Sequence, residues 1–147
     1  MDKLTINNLF SVEGKTAIVT GGSRGIGYMI AQAFVENGAK VYISARKAAA
    51  CDEAAQKLSE LGTCFSIPAD LASNEGRDGF VNAIKERENS LDILVNNAGA
   101  AWGAPFESHP EHAYDKVLTI NVKSIFFLTQ AFLPLLTQNA NTSNPSR

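Results

Sequence analysis

The sequence predicts an α/β fold, a doubly wound parallel sheet cut short after its fourth strand and the long helix that follows. Three observations predict it. Short apolar runs alternate four times with helical stretches along the 147 residues. Gly38, Gly62 and Pro68 punctuate that alternation. The first passage from strand to helix runs through a glycine turn, Thr20-Gly21-Gly22-Ser23-Arg24-Gly25-Ile26-Gly27. Alternation of this kind builds a parallel sheet covered on both faces. Right-handed crossovers then give the strand order 3-2-1-4.

Taken in order, residues 15–20 form the first strand, with the apolar run Thr16-Ala17-Ile18-Val19. Residues 25–37 form a helix closed by Gly38 as its left-handed cap. Val41-Tyr42-Ile43-Ser44-Ala45 is the second strand, rich in residues that suit one. Residues 48–61 are helical and end at Gly62. Cys64-Phe65-Ser66-Ile67 is the third strand, stopped by Pro68. Residues 74–88 are amphipathic, with Phe80, Val81 and Ile84 on one side. Leu91-Asp92-Ile93-Leu94-Val95 is the fourth strand, and the turn Asn96-Asn97-Ala98-Gly99 follows it. Residues 111–138 are mostly helical, with Pro134 expected to kink or end the helix. Residues 1–138 thus form one Rossmann-like unit, and the polar tail 139–147 is expected to fray.

Bulk composition narrows the function. Hydrophobic residues make up 45% and charged residues 19%, ordinary values for a globular domain. A net charge of −2 gives no basic surface for nucleic acid or acidic lipid. Two cysteines, Cys51 and Cys64, make no disulfide framework and point to a reducing, cytoplasmic compartment. Met1-Asp2-Lys3-Leu4 lacks the apolar core of a leader peptide. The stretch 125–136 is interrupted by Thr129, Gln130 and Pro134, and reads as too short and too polar for a membrane span.

The glycine turn carries the chemistry. A strand, a tight turn and a helix N-terminus in that order make a phosphate site, because N–H groups without helical partners and the helix dipole favour an anion. Gly21 permits the turn, Gly25 lets the backbone approach a pyrophosphate, and Gly27 lets the helix pack close to the strand. Ligands of such sheets bind beyond the carboxyl ends of the strands, where the strand order reverses. Here that place lies between strands 1 and 4, at turns 21–27 and 96–99.

Four signatures in order resemble the N-terminal part of the short-chain dehydrogenase/reductase family. They are Thr20-Gly21-x-x-x-Gly25-x-Gly27, Ala69-Asp70-Leu71, Asn96-Asn97-Ala98-Gly99 and Ile120-Asn121-Val122. Within the family the chain is similar to bacterial 3-oxoacyl reductases, including the type linked to rhamnolipid synthesis. The resemblance implies that Gly21, Ser23, Arg24, Gly25, Ile26 and Gly27 contact the cofactor. It also implies an adenine contact from Asp70, and cofactor contacts from Leu71, Asn97, Ala98 and Gly99. Asn121 takes the place of the asparagine in the family's catalytic tetrad. The family substrate is a small-molecule carbonyl compound, and its members commonly pair through the helix that corresponds to 111–138.

The remaining family catalysts are a serine and a tyrosine followed four residues later by lysine. Tyr28, Tyr42 and Tyr114 are followed at that spacing by Gln32, Arg46 and Leu118. The family's fifth strand is expected where Pro145-Ser146-Arg147 stand, so the chain reads as a reductase fragment, inactive by itself. The other reading is a non-catalytic NADP(H)-binding or interaction module, docking through an open edge at strand 4.

Cofactor choice is read at the end of strand 2. An acid there would bind a ribose 2′-hydroxyl, but the chain has Ala45 followed by Arg46. Arginine suits a 2′-phosphate, and Arg24 can reach the same region, so NADP(H) is expected. No metal is expected: Pro110 separates His109 from His112 and no third ligand stands near, so both read as surface histidines. Asn97 has a structural reading beside the cofactor one, tying strand 4 to its neighbours. The stripe Ile125, Phe126, Leu128, Phe132 and Leu133 reads as core plus a pairing face.

Overall fold

Alternation along the first strand sets the layering. In the computed structural model, which describes Thr5 and residues 9–147, β1 spans Thr16–Thr20. Its Ala17 and Val19 enter one core and its Ile18 the other, as a pleated strand requires. The chain continues through α1 (Gly25–Glu36), β2 (Lys40–Ser44), α2 (Ala48–Ser59), β3 (Thr63–Ser66), α3 (Asn74–Lys85) and β4 (Ile93–Val95). A 3-10 turn at Phe106–Ser108 precedes α4 (Glu111–Leu118), a π-helical stretch (Thr119–Lys123) and α5 (Ser124–Gln138). All strand pairs are parallel and the order is β3-β2-β1-β4, as the alternation predicts.

On one face, Ala31 and Val35 of α1 and Cys51, Ala54 and Leu58 of α2 pack on Val41 and Ile43 of β2. On the other, Phe80, Val81 and Ile84 of α3 meet Leu128 and Phe132 of α5 over Ile18 and Tyr42. Phe80 and Phe132 cross edge to face at 5.9 Å. At the far end of the sheet, Glu88 Oε1 accepts from both Lys40 Nζ (2.8 Å) and Tyr42 Oη (2.5 Å), tying the chain after α3 to β2. Gly38, with φ of 83°, closes α1 in the left-handed region as expected.

Two expectations are corrected. Pro134 does not end its helix, which runs on to Gln138. It sits on the exposed face, where the carbonyl its missing N–H leaves free belongs to the exposed Gln130. The break in helical pattern lies instead at Thr119–Lys123. The tail does not hang free: Arg147 N donates to Asp92 O and Leu94 N to Arg147 O, both at 2.8 Å, and Lys15 Nζ bonds Asn144 Oδ1. That parallel bridge also occupies part of the β4 edge expected to be open. Finally, by length and composition the continuous helix Glu111–Gln138 reaches the threshold for crossing a membrane, which the stretch 125–136 alone does not. Its inward residues Leu128 and Phe132 are those of a helix packed on a sheet. Residues 1–4, on which the expectation of no leader rests, lie outside the described residues.

Candidate cofactor site

The glycine turn is stitched to β2 before it reaches α1. Gly21 N and Gly22 N both donate to Ser44 O, at 2.8 and 3.1 Å. Gly21 has φ of 70° and Gly25 of 56°, a region other residues rarely enter. A Cβ on Gly25 would meet nothing within 4 Å, so the turn faces open space there. A Cβ on Gly27 would overlap Gly21 O and Asn97 Nδ2. Gly27 therefore lets the helix close on the turn itself and on the loop after β4, a nearer neighbour than the strand.

The start of α1 is left electrically open. Arg24 at its N-cap makes no side-chain cap, and no acid stands in the first turn. The N–H of Tyr28 is the first to find a helical acceptor, Arg24 O at 3.3 Å. Gly25, Ile26 and Gly27 thus begin the helix with N–H groups that have no acceptor within it, and the partial positive charge there has no internal counterpart.

The opposing lip is held by a hydroxyl and a side-chain amide. Thr20 Oγ1 donates to Val95 O (3.2 Å) and accepts from Asn97 N and Ala98 N (both 3.0 Å). One donor and two lone pairs are all it has. Asn97 Nδ2 donates to Thr20 O at 2.9 Å and reaches Gly21 O at 3.4 Å. The structural role expected of Asn97 is therefore present: it joins β4's end to the glycine turn. Ala98 is half-buried beside it and Gly99 is exposed.

The third wall comes from the chain after β3. Ile67 N donates to Ile43 O and Ala69 N to Ala45 O, so this segment runs beside β2 past its formal end. Asp70 and Leu71 consequently come level with Arg46. Arg24, Arg46 and Asp70 are exposed. The Leu71 side chain is buried at 3%, so only its backbone can face a ligand. Asp70 Oδ1 accepts from Ala72 N at 3.1 Å, which fixes the turn. A groove of about 430 Å³ opens between α1 and α2, lined by Ser23, Arg24, Gly25, Tyr28 and Lys57 among others. At its far end Lys57 pairs with Glu53 at 2.7 Å, which raises the Lys57 pKa and lowers that of Glu53.

Asn121 backs the lip after β4: a Cβ on Gly99 would come within 3.2 Å of its Oδ1. Its Oδ1 accepts from Ala100 N at 2.9 Å and its Nδ2 donates to Ala100 O at 2.8 Å. It sits in the π-helical stretch and pins the loop after β4 to it. Nearby, Trp102 lies edge to face with His112 at 5.4 Å, and Lys116 Nζ stands 5.3 Å from its ring centre. Both histidines are exposed. A space of about 400 Å³ lies between this loop and α4.

Sequence reasoning missed three contributors. Thr20 was read only as part of a motif, and its buried position at a strand's end was the available signal. A Cβ on Gly22 would come within 2.6 Å of Ile43 Cγ2, a contact visible only once β2 is placed. Arg77, 6% exposed, stands three residues before Phe80 and four before Val81, and so on the apolar side of α3.

The chain is similar to several known proteins. The family described as short chain dehydrogenase matches residues 15–143. The rhamnolipids biosynthesis 3-oxoacyl-(acyl-carrier-protein) reductase of Pseudomonas aeruginosa is 51% identical over 138 residues, covering 94% of this chain and 54% of that protein. The solved Pseudomonas aeruginosa RhlG/NADP active-site complex superposes with a TM-score of 0.91 at 51% identity, over 95% of this chain and 55% of that one. The L-sorbose reductase of Gluconobacter frateurii, solved with NADPH and L-sorbose, gives a TM-score of 0.79 at 30% identity, over 83% of this chain and 47% of that one. The chain spans about half the length of the curated relatives it matches. With the match running from the start of β1 through α5, the chain belongs to the short-chain dehydrogenase family.

Proposed function

We propose that this chain is the NADP(H)-binding half of a carbonyl reductase. The observation that carries the reading is the open cradle at Gly25, stitched to β2 so that Arg24 and Arg46 share one sheet end where Ala45 replaces an acid. The residues fit a dinucleotide. The amides of Gly25, Ile26 and Gly27 suit the diphosphate, with Gly21 and Ser23 shaping the turn. Arg24 and Arg46 suit a 2′-phosphate through charge-assisted bonds. Asp70 and the Leu71 backbone border the adenine end, and Ala98 and Gly99 border the other lip, which Asn97 holds. When bound, NADPH supplies the hydride that reduces a ketone.

Likeness to a protein named as a 3-oxoacyl reductase supports a 3-oxoacyl thioester as the substrate class. Within the 147 residues no tyrosine is followed by lysine four positions on, so Asn121 has no relay partner in this chain. The chain alone should therefore show no appreciable turnover. Pairing of two copies through residues 111–138 belongs to the proposal, supported by exposed Val122, Phe126 and Leu133. So does a cytoplasmic location, supported by two free, buried cysteines. Titrating the purified chain with NADPH and NADH tests the reading, with NADPH expected to bind at least about tenfold more tightly. Equal affinity would remove the role given to the arginines. Absence of binding would leave no cofactor site. Steady-state oxidation of NADPH with acetoacetyl thioesters would show that catalysis needs no further residues.

A further inference from the structure

We infer that Arg77 is a positioning residue that holds the adenine-side wall of the cofactor site in place, an inference that rests on the cofactor reading above. Arg77 is the fourth residue of α3 and is 6% exposed. Its Nη1 donates to Leu71 O at 2.9 Å and to Ala72 O at 3.2 Å, and its Nη2 donates to Asn74 Oδ1. Its Cζ lies 6.0 Å from the ring centre of Phe127 on α5. Among the described residues the ion pairs are Lys40–Glu88 and Lys57–Glu53, so the guanidinium is answered by carbonyl dipoles and a ring face without a carboxylate.

A buried charge without an acid is costly, and an apolar side chain at this core-facing position would avoid the cost. What the guanidinium does that an apolar group cannot is hold two consecutive carbonyls from one nitrogen, Nη1, while the other arm of the same rigid plane, Nη2, holds Asn74 Oδ1. Those carbonyls belong to Leu71 and Ala72, the residues directly after Asp70. The rest of the turn is tied on its outer side, through Asp70 Oδ1 to Ala72 N and Asp70 O to Ser73 N, both at 3.1 Å. Arg77 ties it from the inner side. The segment that borders the adenine end is thereby fixed from two directions, one of them anchored on α5 through Phe127. The ordering is in place before any cofactor arrives, which lowers what binding must organise.

The test uses the 147-residue chain, with Arg77→Met and Arg77→Lys variants. Calorimetric titration with 2′,5′-ADP and with reduced nicotinamide mononucleotide separates the two ends of the site. Arg77→Met should weaken 2′,5′-ADP by about tenfold and leave the nicotinamide fragment unchanged. Arg77→Lys, which keeps the charge and reaches fewer acceptors, should fall between. Amide exchange without ligand should quicken at Ala72, Ser73 and Gly76 in both variants and stay unchanged in β1. Should Arg77→Met fail to fold, the lysine variant carries the same comparison. Equal weakening of both fragments, unchanged 2′,5′-ADP affinity, or unchanged exchange at the turn overturns the inference. If the unaltered chain binds neither fragment, the cofactor reading falls, and the exchange measurement alone decides whether the clamp exists.

Discussion

The N-termini of α1 and α3 lie at the same end of the sheet and are built in opposite ways. At α3, Ser73 Oγ accepts from Gly76 N at 2.9 Å, Glu75 stands in the first turn, and Arg77 grips the carbonyls before it. At α1 there is no side-chain cap, no first-turn acid, and an open glycine at the first position. The first arrangement spends its polar groups internally and gains helix stability of about 1 kcal/mol from the cap. The second forgoes that gain and keeps its amides for an anion. The start of α2 is also uncapped at Lys47, next to Arg46, so two unfilled helix ends border one sheet edge.

The largest expected effect comes from reversing the charge that accompanies the open end. Arg46→Asp should move preference from NADPH toward NADH by about 1.5–3 kcal/mol, read as the ratio of the two dissociation constants. An unchanged ratio would mean that Arg46 serves no phosphate. Next, Gly27→Ala drives a methyl into Gly21 O and Asn97 Nδ2, and should lower stability by about 1–3 kcal/mol in urea unfolding and abolish NADPH binding. Retention of both would show that the two lips can separate without consequence.

The comparison is sharpened by making α1 resemble α3. Arg24→Asp supplies a side chain that can cap α1 and complement its dipole, so the chain should gain about 1 kcal/mol of stability while losing affinity for NADPH. A variant that gained neither would mean that the extended Arg24 backbone, with φ of −162°, does not offer a cap position.

Outside the site the expected effect is a pH dependence. Burial raises the pKa of Cys51, pushes that of Cys64 from 9.0 up to about 12, and, with the carboxylate of Glu88, raises that of Tyr42. These groups keep their protons more tightly when folded. The stability they contribute is complete below the unfolded values, near 9 for the thiols, and declines as pH rises toward the folded ones. The urea midpoint should therefore fall between pH 9 and 10.5, and Cys64→Ala should flatten part of the decline.

The sheet was legible because each strand's alternation encodes two cores: Ala17 and Val19 against Ile18 is enough to call for cover on both faces. The glycine turn was legible because its constraints are local, a positive φ at Gly21 and Gly25 and a missing side chain at Gly27. What escaped depends on distant pairings. Leu91 was expected in β4, but its N–H donates to Leu135 O at 3.0 Å, so the strand begins at Ile93. The π-helical stretch follows a pairing between Asn121 and Ala100, 21 positions apart, which no local pattern announces. Arg77 escaped because an arginine in an amphipathic helix ordinarily faces water. The tail escaped because its polar composition gives no sign of the bridge from Arg147 to β4.

Thr20 Oγ1 touches three backbone groups of the opposite lip within 3.2 Å. The mouth between the glycine turn and residues 95–98 is consequently gauged by that oxygen together with the Asn97 amide, which reaches Thr20 O and Gly21 O. With one donor and two lone pairs, the hydroxyl has no bonding capacity to spare, so loss of its place undoes all three bonds together. Gentle denaturant should therefore shrink the number of competent molecules while each survivor keeps its full grip on the nucleotide.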